Sequence, residues 1–63
     1  MLNVIKLRRL YKKTQLEMAE LLDLPRPLYN AFEQGRFKLP DEKVEILCHY
    51  FNVTEEYLCA EGE

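Results

Sequence analysis

The chain has 63 residues, enough for one domain with a marginal core and too few for a catalytic unit beside a regulatory one. Nine Lys+Arg against eleven Asp+Glu give a net charge of −2, which taken alone counts against a nucleic-acid partner. The average hides a division. Residues 1–38 hold eight basic and four acidic side chains, a balance of +4, and residues 39–63 hold one basic and seven acidic, a balance of −6.

A hydrophobic fraction of 48% with 32% charged residues is ordinary for a globular domain and too apolar for a disordered one. No apolar run approaches bilayer-spanning length. Lys6, Arg8 and Arg9 break the N-terminal apolar run, so no secretory signal is expected. Cys48, Cys59 and the single His49 make neither a disulfide framework nor a metal quartet. Cys48 reads as a small hydrophobe on a helix face. The expectation is a cytoplasmic, reduced domain with no metal, no cofactor and no membrane partner.

Helical periodicity runs along the chain, and no stretch shows strand alternation. Val4, Leu7, Leu10 and Tyr11 predict a first helix over about 3–12, closed by Lys12 and Lys13. Thr14-Gln15-Leu16-Glu17 is a capping box that starts a second helix, with Met18, Ala19, Leu21 and Leu22 inward. It stops at Asp23-Leu24-Pro25. A third helix is expected over about 26–34, with Tyr29 and Phe32 inward and Gly35 as its stop. Arg36 to Leu39 is a connector. Pro40 suits the first turn of a fourth helix, with Asp41 and Glu42 at its positive end. Val44, Leu47, Cys48 and Phe51 form its buried stripe, and Asn52 is its left-handed stop. Thr54-Glu55-Glu56 opens a fifth helix that packs Tyr57 and Leu58, and 60–63 is a frayed end. The fold class is all-α, five short helices in one domain over 1–63.

Two short helices joined by a three-residue turn predict a helix-turn-helix at 15–34, followed by C-terminal helices at 40–59. Thr14-Gln15, Met18-Ala19, Leu22, Leu24, Tyr29, Phe32-Glu33 and Gly35 stand in the register of a known family. So do Leu7-Arg8, Leu47-Cys48, Phe51-Asn52-Val53 and Leu58. The chain resembles the Cro/repressor-type (lambda-repressor-like, XRE) helix-turn-helix family over about 4–58. The resemblance implies a small sequence-specific transcriptional regulator of repressor type. It implies double-stranded DNA as partner, with the third helix in the major groove. A homodimer on half-sites about 34 Å apart, or a multiple of that, is expected.

Carried over by position, Gln15 is a phosphate contact, Arg26, Pro27, Leu28, Asn30 and Ala31 face or flank base edges, and Gln34, Gly35, Arg36 and Lys38 meet the backbone again. Arg8, Arg9, Lys12 and Lys13 are expected to add positive field. Arg26 suits guanine and Asn30 adenine, while Leu28 and Ala31 suit thymine methyls. The chain departs from the family at Lys13 (usually apolar), Asp23 (usually Gly), Pro25 (usually a Ser or Thr cap) and Pro27 (often a polar reader). Tyr29 and Phe32, three apart, read as core rather than as stacking platforms. Leu28 is expected to be partly buried against Phe32. The dimer surface is placed at the C-terminal part, with Tyr50, Phe51, Tyr57 and Leu58 as candidates. The alternative function is a protein-binding adaptor or antirepressor that uses Pro27, Leu28 and Ala31 as an apolar patch. An enzyme is not expected, because no base–nucleophile pair converges.

Overall fold

The computed structural model describes residues 2–59. Its helices are α1 (Leu2–Leu10), α2 (Gln15–Leu21), α3 (Arg26–Glu33), α4 (Asp41–Phe51) and α5 (Glu55–Cys59). Among the described residues there is no strand, so the chain is all-α. The frayed end expected at 60–63 lies outside the described residues. Among the described residues, no helix is long and apolar enough to cross a membrane.

The predicted starts of α2, α3 and α5 hold. The Thr14 hydroxyl accepts from the Glu17 amide at 3.0 Å, and the Glu17 carboxylate accepts from the Thr14 amide at 2.8 Å. Thr14 thus satisfies amides that α2 cannot bond itself. Thr14 also sets the Glu17 carboxyl below its ordinary value, because the ionised form takes that backbone bond. Thr54 starts α5 in the same way, its hydroxyl accepting from the Tyr57 amide at 3.1 Å. Pro25 precedes α3 with no side-chain cap, as its ring requires. Pro40 corrects an expectation. It is extended (φ −62, ψ 153) and stands at the N-cap of α4, so the first helical residue is Asp41.

Four helices end by one device. Lys12 (φ 58), Asp23 (φ 56), Gly35 (φ 81) and Asn52 (φ 57) all adopt the left-handed conformation. Behind each, a backbone bond spans five residues: Lys13 to Arg8, Leu24 to Ala19, Arg36 to Ala31 and Val53 to Cys48. These are Schellman closures, which satisfy carbonyls left over at a helix C-terminus. Asp23, Gly35 and Asn52 act as expected. Lys12 corrects the reading of α1: the helix ends at Leu10, and Lys12 and Lys13 form the reversal rather than its last turn. A left-handed L-residue costs about 1–2 kcal/mol, against roughly 0.5–1 kcal/mol for the extra chain freedom of glycine. Lys12→Gly should therefore stabilise the domain by about 0.5–1 kcal/mol, seen as a thermal midpoint higher by about 4 °C.

The core joins all five helices through fully buried Val4, Met18, Leu22, Tyr29, Leu47 and Leu58. Leu39 also enters it at 3% exposed, although it lies in the connector, and Phe37 packs against it. Cys48 is half-buried beside the same core, as its apolar surroundings suggested. Asn3, the buried polar residue of α1, donates to the Tyr57 carbonyl at 2.6 Å and ties α1 to α5. Phe51 (3% exposed) and Leu58 (0%) are core residues, which removes them from the expected dimer surface. Tyr50 and Tyr57 stay exposed.

Candidate nucleic-acid interface

The turn at 22–25 folds α3 back across α2. Tyr29 and Phe32, three residues apart, fall on one face of α3 and are buried, their rings 5.7 Å apart. The core reading of this pair is therefore correct. Arg26, Asn30 and Gln34 follow at four-residue spacing on the opposite face, with Pro27 and Ala31 beside them. Arg26, Pro27, Gln34, Arg36 and Lys38 are exposed, while Leu28, Asn30 and Ala31 are half-buried. Leu28 is partly buried as expected, but it does not join the half-buried hydrophobics that pack against the core containing Phe32.

The Oδ1 of Asn30 is buried without a hydrogen-bond partner. A bidentate grip on adenine uses both amide atoms, so the side chain must turn outward to make one. Turning would also give that buried acceptor a partner.

Beside the start of α3, a shallow open groove of about 620 Å³ is lined by Arg8, Arg9, Thr14, Gln15, Leu16 and Arg26. Gln15 and Arg26, from different helices, share it. Arg9 and Arg26 form no ion pair among the described residues. Their charges are free to attract an anion.

Arg8 behaves differently. Its Nε and Nη2 donate to the two carboxylate oxygens of Glu33 at 2.7 and 3.2 Å, and its Nη1 donates to the Lys13 carbonyl at 3.1 Å. The side chains are only 13% and 6% exposed. Arg8 is thereby neutralised and does not supply the long-range field expected of it; Arg9, Lys12, Lys13 and Arg26 remain for that. The hydrogen bond to Glu33 raises the Arg8 pKa further against the effect of burial, so the pair stays charged.

Glu33 is the centre of this cluster. Besides Arg8, it accepts from the Tyr29 hydroxyl at 2.6 Å and from Gln15 Nε2 at 2.9 Å. Burial pushes its carboxyl up, but the bonds from Arg8, Tyr29 and Gln15 outweigh burial and leave it below its ordinary value. Burial and the ionised Glu33 together raise the Tyr29 hydroxyl far above its usual range, so it remains a donor. Sequence reasoning marked Arg8 and Glu33 as family positions without pairing them, because 25 residues separate the two. Gln15 is consequently half-committed: one N–H serves Glu33, and the rest of the amide lines the groove.

No titratable cluster suited to catalysis appears in the groove. Among the described residues, no group of three His, Cys, Asp or Glu stands together as metal ligands.

Residues 3–61 match the family described as "Helix-turn-helix domain". The chain belongs to that family. A similar protein is Antitoxin PezA of Streptococcus pneumoniae serotype 4 (strain ATCC BAA-334 / TIGR4), 33% identical over 52 residues. The alignment covers 82% of this chain and 33% of that relative, so the helix-turn-helix domain spans about a third of the relative's length. No solved structure matches it significantly. The helix-turn-helix family supports DNA binding.

Proposed function

We propose that this helix-turn-helix domain is a sequence-specific DNA-binding transcriptional regulator of the Cro/repressor type. The observation that carries the reading is the shared groove. It brings Gln15 of α2 and Arg26 of α3 together beside Arg9, which has no ion pair among the described residues, where a phosphate and the adjoining base edge would lie. Arg26 reads a base, Gln15 holds the backbone, and Gln34, Arg36 and Lys38 meet the strand beyond the end of α3. Pro27, Leu28 and Ala31 supply apolar contact to thymine methyls. The −6 half carries α4 and α5 and is turned away from the duplex. The curated relative is named an antitoxin, which fits a DNA-binding regulator that also engages a protein.

Titrating isotope-labelled protein with a selected duplex should shift the amide resonances of Gln15, Arg26 to Ala31, Gln34, Arg36 and Lys38 most. Shifts confined to Tyr50 and Tyr57 would contradict the assignment.

One domain makes few base contacts, so the working unit is a two-fold dimer on DNA. Tyr50 (41% exposed) and Tyr57 (38%) remain from the surface first expected, and Leu10 (71%) and Tyr11 (47%) add apolar area. Tyr11 and Tyr50 both pack edge-on against the buried Phe51, each with ring centroids 5.0 Å from it. Sedimentation equilibrium at tens of micromolar should show a dimer that Tyr50→Ser weakens.

The second reading is a protein-binding adaptor or antirepressor. Exposed Pro27 beside half-buried Leu28 and Ala31 favours it. Absence of DNA binding together with capture of a regulator through these residues would establish it.

A further inference from the structure

A carboxylate has no proton to donate, so whatever faces it at hydrogen-bond distance must be a donor. Gln15 Nε2 lies 2.9 Å from Glu33 Oε1. With Glu33 ionised, the reverse amide orientation would set two acceptors against each other. Glu33 is itself immobilised by the fork of Arg8 and by the Tyr29 hydroxyl. The amide at the groove is thereby held by α1 and α3 as well as by its own helix.

We propose that Glu33 is a positioning residue for DNA binding, fixing the Gln15 amide in one orientation so that its second N–H meets the nucleic acid already ordered. The inference rests on the DNA-binding reading above. Its physical basis is preorganisation: a side chain fixed before binding loses less rotamer freedom on binding. Neutralising Glu33 removes the constraint. A Gln at position 33 can present either an oxygen or an N–H to Gln15, and the amide is then free to turn. A loss of duplex affinity of roughly 3- to 10-fold is expected from ordering one such side chain.

The test is a double-mutant cycle. Wild type, Gln15→Ala, Glu33→Gln and the double variant are titrated with a selected duplex, each below its own unfolding midpoint. Asn3→Ala, which breaks the α1–α5 bond instead, serves as a destabilised control and should keep full affinity. Glu33→Gln also frees the Arg8 charge in both backgrounds, so the expected result is a coupling: a loss of affinity in the wild-type background that is absent or reversed once Gln15 is gone. An equal loss in both backgrounds, or no loss in either, overturns the inference. Gln15→Ala without effect, while the wild type binds tightly, overturns it and leaves the DNA-binding reading standing. A wild type that binds no duplex overturns both.

A measurement on the wild type alone does not depend on any variant folding. The Nε2 proton of Gln15 that faces Glu33 should resonate away from exposed-amide values and exchange with solvent more slowly than its geminal partner in the free protein. Values typical of a freely rotating exposed amide would contradict the inference.

Discussion

Glu33→Ala should lower the thermal midpoint by about 15 °C. The substitution removes the carboxylate paired with the Arg8 guanidinium, whose side chain is only 13% exposed in the wild type. It also strips partners from the Tyr29 hydroxyl and from Gln15. Removing one member of a buried pair costs about 3–5 kcal/mol, and slight exposure places this site near 3 kcal/mol. A domain this small has on the order of 3–9 kcal/mol in total, and each kcal/mol moves its midpoint by about 4–8 °C. Glu45→Ala, at an exposed acid on α4, should change stability by no more than about 0.5 kcal/mol. Equal effects at the two positions would show that the cluster is not structural.

The same carboxyl shapes the acid limb of the stability curve. Its folded pKa is depressed, so its contribution is complete above the unfolded value of about 4.5 and disappears as pH falls through the lower folded value. Denaturant titrations between pH 7 and pH 2 should show stability falling below about pH 4.5 in the wild type. Glu33→Gln should start lower and fall less steeply. Parallel curves would refute the assignment of that limb to Glu33.

Arg26→Ala should weaken binding to a selected duplex by about 5- to 150-fold, the equivalent of about 1–3 kcal/mol for a bidentate contact to guanine. Much of the preference for one base should vanish at a single position of the site. Lys38→Ala, beyond the helix, should weaken selected and random duplexes alike and lower the salt slope by about one. Competition titrations with base-substituted duplexes separate the two. Uniform weakening by Arg26→Ala would make it a phosphate contact instead, and would leave base reading to Asn30.

What could be read in advance was what is encoded over short distances. The Thr14–Glu17 box, the Gly35 stop and the left-handed Asn52 each depend on residues a few positions apart. Asp23 could be placed in a positive-φ turn because its short polar side chain tolerates that conformation. Lys12 could not: lysine has no such preference, and the reversal is imposed where α1 meets the chain leading to α2. The same limit applies to the core. Leu39 stands alone in a connector, with no periodicity to reveal that it is buried.

At the site, Gln15 and Arg26 were legible as positions in a family register, and the groove brings those two together. The Glu33 cluster was not legible, because its partners lie 25, 18 and 4 residues away and only the packing of α1 and α2 on α3 unites them. The charge division changed meaning in the same way. The positive half does carry the helix-turn-helix, but Arg8 and Glu33 cancel within it. The anion-attracting charge at the groove comes down to Arg9 and Arg26.

The central claim is that this groove and the outer face of α3 engage DNA. Duplex affinity measured across a salt series tests it most directly. Counterion release predicts that log K falls linearly with log salt, at a slope of about −0.9 per phosphate neutralised. Contacts from Gln15, Arg9, Arg36 and Lys38 would include about three cationic ones, giving a slope near −3 per domain. A selected duplex should bind more tightly than random sequence at every salt concentration. No binding at low salt, or a flat salt dependence, would contradict the account and favour the protein-binding reading.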